Sequence, residues 1–158
     1  MRITGWLIGA LAVFSIVVSG SAQNQEPSIE AEVRASFERS EAAGDFADKF
    51  YAIFLNKSPE IALLFAQTDF ERQRRLLRTT VYIMVTQDLD DPTARETLER
   101  IGRSHGRSEL NIRPELYDLW LDSICETVKD LDPEWTPETE RFWRERMAPG
   151  IALITSLY

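Results

Sequence analysis

One histidine and one cysteine are all that these 158 residues hold of the two side chains most used to grip metals and cross-link folds. The lone Cys125 excludes an internal disulfide. With only His105 to join it, no closed structural zinc cage of cysteine and histidine can form, because such a cage takes four protein ligands. Positive charge is also short: 18 Lys and Arg stand against 26 Asp and Glu, for a formal net charge of −8. Nucleic acid and anionic membrane surfaces are poor partners for such a chain. No run alternates as a strand does, and there is no Asn-Gly or Asp-Gly hairpin turn. Paired carboxylates, a nucleophile triad, a phosphate loop and a dinucleotide fingerprint are all missing, so no enzyme class built on them is indicated.

Long apolar runs are absent except for Trp6–Val18. As a helix this run spans about 20 Å, short of the ~30 Å hydrocarbon core of a bilayer. Met1-Arg2 precedes it and the small residues Gly20-Ser21-Ala22 follow it. Residues 1–22 therefore read as a signal peptide, and residues 23–158 as one exported, periplasmic domain. The alternative is an uncleaved anchor that keeps the domain on the membrane, facing the periplasm. No cysteine lies near the cleavage site, which excludes lipid attachment there.

What the chain does have is the punctuation of an all-α domain. Ser58-Pro59, Asp91-Pro92, Arg113-Pro114 and Thr136-Pro137 each look like a cap followed by a first-turn proline, with Arg113 the weak cap of the four. Helices are expected from about Pro27 to Ala43, Asp45 to Lys57, Asp69 to Gln87, Pro92 to Ser104, Pro114 to Leu131 and Pro137 to Leu157, with a short turn at Pro59–Phe65. The last helix has a potential bend at Pro149-Gly150. Phe46, Phe50 and Phe54 fall on one face of the second helix. Cys125 lies in an apolar stripe and reads as a small buried hydrophobe. Trp135 and Trp143, around the start of the last helix, read as pins between helices.

His105 ends a stripe formed by Ala94, Leu98 and Ile101, at spacings of four, three and four, so its ring points where those apolar side chains point. Gly102 removes a side chain one turn away and lets something bulky approach. On these residues alone His105 is either an ordinary helix-end residue or a metal ligand without protein co-ligands. The second is chemically possible for a haem iron, because the porphyrin supplies four nitrogens of its own.

Phe50-Tyr51, Pro59-Glu60-Ile61, Leu64-Phe65, Gln73, His105 and Ile112-Arg113-Pro114-Glu115-Leu116-Tyr117 follow one another in an order that resembles the single-domain bacterial globins, relatives of the globin part of flavohaemoglobins. The resemblance runs from about Ser36 to Tyr158 and implies a globin fold of six to seven helices around a haem pocket. It implies His105 as the proximal iron ligand, Phe65 against the haem edge and Leu77 as an apolar wall. Tyr51 and Gln73 become distal hydrogen-bond donors and Tyr117 an aromatic beneath the histidine. The segment between His105 and Pro114 is slightly longer than in that family, which leaves Trp120, one turn beyond Tyr117, as a competing contact. Without a Cys-x-x-Cys-His motif the haem would be non-covalent, b-type iron protoporphyrin IX. Arg72, Arg74, Arg75 and Arg78 could meet its propionates, although a solvated face balanced by Glu71 explains most of them.

The function expected from this resemblance is reversible binding of O2, NO or CO, with NO detoxification as an added activity if an external reductant is supplied. The alternative is a globin-fold sensor or interaction domain with little or no haem. A third, weaker reading is an unrelated membrane-anchored helical adapter, which requires the N-terminal segment to stay uncleaved.

Overall fold

The computed structural model describes residues 28–158, so the signal segment read at residues 1–22 lies outside the described residues. Seven helices and no strand make up the described residues: α1 Ile29–Ala42, α2 Phe46–Phe54, α3 Pro59–Leu64, α4 Phe70–Thr86, α5 Pro92–His105, α6 Leu116–Leu131 and α7 Pro137–Thr155. Their starts follow cap chemistry. Ser28, Ser58, Asp69, Asp91 and Thr136 each accept a hydrogen bond from a first-turn N–H, and Thr136 with Thr139 forms a reciprocal capping box. Pro59, Pro92 and Pro137 occupy the first turns of α3, α5 and α7.

Pro114 does not. Arg113 cannot cap, and α6 starts two residues later at Leu116, behind Glu115 in a helical conformation with no side-chain cap bond. The Arg113 guanidinium instead reaches Glu60 of α3, 2.6 Å from Oε2 and 3.2 Å from Oε1. α7 runs through Pro149 without a break; Gly150 there is buried against Met84 of α4, where an added Cβ would lie 3.0 Å from the methionine.

α2 packs on α6, and α1 and α5 both pack on α7. Phe46, Phe50, Leu98, Ile124, Val128, Trp143 and Met147 fill the centre. Burying large apolar side chains of this kind contributes roughly 1.5–3 kcal/mol each. Trp143 is fully buried, and its indole N–H donates to Ser36 Oγ at 3.0 Å. Ser36 donates in turn to Asp132 Oδ2 at 2.6 Å, and Arg39 holds the same carboxylate at 2.6 and 2.9 Å. This network ties α1, the end of α6 and α7 together.

Burial pushes the Asp132 carboxyl up, but hydrogen bonds from Arg39, Ser36 and the Glu134 N–H outweigh it, and its pKa falls below the ordinary 3.8. A depressed carboxylate pKa stabilises the fold above the unfolded value and loses that contribution as pH falls through the folded one. The contribution of this group is therefore full well above pH 3.8 and is lost progressively as pH falls through that ordinary value toward the lower folded one. Asp132→Ala should cost on the order of 2–3 kcal/mol at neutral pH, read as a lower urea midpoint with an unchanged slope.

Gly102 has a role other than admitting a bulky group. A Cβ there would lie 2.8 Å from Leu157 Cδ1 and 2.9 Å from the Ile154 carbonyl, so the glycine is what lets α7 lie against α5 one turn before His105. Gly102→Ala should overpack this contact and lower stability by about 1–3 kcal/mol in denaturant unfolding.

Candidate functional site

His105 is the last residue of α5, half-buried, and Leu98 on the same stripe is fully buried. The chain folds back at once: the Ile112 N–H donates to the His105 carbonyl at 2.9 Å, and Asn111, at φ 50°, makes the reversal. This closed loop precedes Pro114 and brings Tyr117 to the imidazole. The Tyr117 hydroxyl lies 2.7 Å from His105 Nδ1. Burial pulls the His105 pKa below the ordinary 6.5, so the ring is neutral at pH 7. Burial also raises the Tyr117 pKa to about 12, so the phenol keeps its proton.

Among the described residues no hydrogen bond engages Nε2. The Nδ1 contact is open to either direction; in the tautomer whose Nδ1–H donates to the Tyr117 oxygen, Nε2 carries the free lone pair that a metal ligand requires. Trp120 does not compete for this position. It packs instead on Phe50, with ring centroids 6.0 Å apart. Tyr117 and Trp120 are one turn apart on α6, and one touches the α5 histidine while the other touches α2. That helix thus links the two sides of the site.

On the α2 side Tyr51 is buried with 5% exposure and is edged by Phe50 at 5.0 Å and Phe70 at 5.4 Å. Phe65, at the end of α3, stacks on Phe70 at 6.2 Å and leans on Tyr51 at 5.7 Å. Leu77 of α4 is buried with 4% exposure. The Tyr51 hydroxyl donates to the Gln73 backbone carbonyl across 3.4 Å, at the weak end of hydrogen-bond geometry. Burial raises its pKa to about 12, against downward pulls from the Gln73 side chain and the Arg74 charge. Gln73 itself is half-buried, with its side chain close enough to the phenol to lower the Tyr51 pKa.

Tyr51 of α2 thus touches Phe65 at the end of α3 and the Gln73 backbone of α4, Leu77 is buried one turn after Gln73, and His105 and Tyr117 form a contacting pair. Phe70 is a site aromatic that the sequence reading missed. Its signal was the apolar first residue of α4, directly after the Asp69 cap. Of the arginines, Arg75 pairs with Glu71 at 2.6 Å, Arg74 with Asp48 at 2.6 Å and Arg78 with Glu41 at 3.4 Å, while Arg72 makes no ion pair among the described residues. Three of the four are thus balanced by acids.

An all-helical fold in which a half-buried histidine of α5 meets a tyrosine of α6, and a buried tyrosine of α2 sits among aromatic rings, narrows the class, and sequence comparison agrees. The chain belongs to the globin family, whose model matches residues 48–151. Among solved structures it is similar to a protein from Pseudomonas aeruginosa described as structurally highly homologous to a human haemoglobin. The two share 38% identity at a TM-score of 0.75, over 83% of this chain and 98% of that one. No curated protein sequence matches the chain.

Proposed function

We propose that this globin binds b-type haem through His105 and takes up O2 or another diatomic gas reversibly. The observation that carries the reading is the His105–Tyr117 pair: a neutral imidazole with Nδ1 engaged at 2.7 Å and Nε2 left without a protein partner. Among the described residues no cluster of His, Cys, Asp and Glu could hold a bare metal ion, so the donor set fits an iron that needs a single protein nitrogen. Bound haem would supply that iron, together with an open coordination position for a gas.

The chain's own residues do the rest. Phe65 and Phe70 offer stacked rings as a flat wall, and Leu77 adds an apolar one. Tyr51 stays protonated at any physiological pH, so its buried hydroxyl is an available donor. Its bond to the Gln73 carbonyl is long, and α4 already uses that carbonyl, so the hydroxyl is given up to a ligand at little cost. The Gln73 amide is the second available donor.

His105 is oriented by a neutral phenol rather than a carboxylate, which leaves the basicity of its ring unboosted. This favours binding and release over redox turnover, and NO detoxification would need an external reductant. Tyr117→Phe should leave haem bound but speed its loss to an acceptor apoprotein about tenfold, the scale of a lost orienting partner. Repeated cycles of the ferrous protein between O2 and nitrogen test the function itself. The expected spectra alternate reversibly between two forms; irreversible oxidation in the first cycle would count against reversible binding.

Residues 1–22 as a signal segment and a periplasmic location belong to the same proposal. N-terminal sequencing of the mature protein from the cell envelope should begin near Gln23; an intact Met1 in the membrane fraction would favour the anchor instead. Among the described residues no helix is long and apolar enough to cross a membrane.

A further inference from the structure

The start of α4 is joined to α2 by two contacts of different kinds. Inside, the Tyr51 hydroxyl reaches the Gln73 carbonyl at 3.4 Å. Nearer the surface, Asp48 Oδ1 lies 2.6 Å from Arg74 Nε, with side chains 61% and 42% exposed. Asp48 and Tyr51 are three residues apart on one face of α2, and Gln73 and Arg74 are consecutive on α4, so both contacts close one seam. Arg74 Nε is itself buried, yet its alignment to Asp48 is too poor for a hydrogen bond, so charge attraction holds the pair. The other paired cations of this stretch turn elsewhere, Arg75 to Glu71 within α4 and Arg78 to Glu41 of α1.

We infer that the Asp48–Arg74 pair is a clasp over the tyrosine side of the site: it positions the Tyr51 hydroxyl and Gln73 by fixing the α2–α4 spacing, and its opening sets how fast a gas enters and leaves. The inference rests on the haem-globin reading above. The guanidinium is within electrostatic reach of the phenol, whose acidity it increases against the effect of burial. An ion pair this exposed is screened by salt, whereas the buried phenol is not. CO carries no charge, so salt dependence in its exchange isolates the clasp from the ligand.

The test compares haem-loaded wild type with Asp48→Asn, Arg74→Gln and the charge-swapped double variant Asp48→Arg with Arg74→Asp, by CO rebinding and displacement at low and molar salt. Wild-type rates should rise about two- to fivefold with salt, the range available to an exposed pair. Each single variant should be fast already at low salt and insensitive to more, and the swapped pair should restore slow, salt-dependent exchange. Amide hydrogen exchange of the haem-free proteins reads the same clasp without the cofactor. Residues 70–77 should exchange faster in the single variants and in high-salt wild type, with α7 unchanged. Salt-independent wild-type rates with single variants like wild type would overturn the proposal. So would acceleration spread evenly over α4 and α7, which would make the pair a general stabiliser. A protein that takes up no haem would overturn the haem reading instead, while the exchange experiment still decides whether the clasp holds α4 to α2.

Discussion

His105→Ala should abolish the intense Soret absorption that wild type gains on addition of haemin. The expected loss is near complete because the chain has no second histidine to substitute. Cys125 cannot take over: it is buried in α6 and burial holds its thiol pKa up at about 12, so it carries almost no thiolate at neutral pH. Helix content should be preserved, since His105 is the terminal residue of α5 and the Leu98 and Gly102 contacts that dock this helix stay in place. Added imidazole should restore part of the band by occupying the space the side chain leaves. An unchanged Soret band in the variant would move the iron ligand to another residue, with Tyr51 the first to examine.

Tyr51→Phe should raise the O2 dissociation rate by about tenfold to a hundredfold. A diatomic gas gains negative charge on binding, and a hydrogen bond to a charged acceptor contributes about 1.5–3 kcal/mol, with ~1.4 kcal/mol per factor of ten. CO gains less charge and should respond less, so the ratio of the two effects distinguishes a hydrogen bond from a change of shape. Stability should change by under about 1 kcal/mol, because the ring keeps its contacts with Phe50, Phe65 and Phe70 and loses only the 3.4 Å bond. Flash photolysis and stopped-flow mixing supply the rates. An unchanged O2 rate would mean that the hydroxyl stays on the Gln73 carbonyl with ligand present.

The all-helical fold was legible because its signals are local. Ser58, Asp69, Asp91 and Thr136 announce helix starts within a few residues, and the Phe46–Phe50–Phe54 stripe marks a buried face by its spacing alone. Cys125 and Trp143 are buried as their surrounding patterns suggest. Pro114 misled because a first-turn proline needs a cap before it, and Arg113 is committed to Glu60.

Contacts between distant segments left no local trace. Ser36 meets Asp132 and Trp143 across 96 and 107 residues, and Asp132 sits in an Asp-Pro-Glu stretch that reads as an ordinary turn. Gly102 displays a missing side chain but not which neighbour takes the space; α7 does. For the candidate site, the family resemblance in order along the chain pointed to Tyr51, Phe65, Gln73, Leu77, His105 and Tyr117. The structure adds that Tyr51 touches Phe65 and Gln73 while His105 touches Tyr117. The division of labour between Tyr117 and Trp120 depended on how the loop after His105 closes, and Arg74 as a bridge to α2 was hidden in a run of charges.

Heavy-nitrogen histidine incorporated into the full chain, followed by haemin titration and resonance Raman of the ferrous protein, tests the central claim most directly. With one histidine in the sequence, any iron–imidazole vibration belongs to His105. The expected result is saturation at one haemin per chain and an iron–nitrogen stretch that shifts with the isotope. A protein that stays colourless, or a bound haem whose iron–ligand vibration ignores the label, would contradict it.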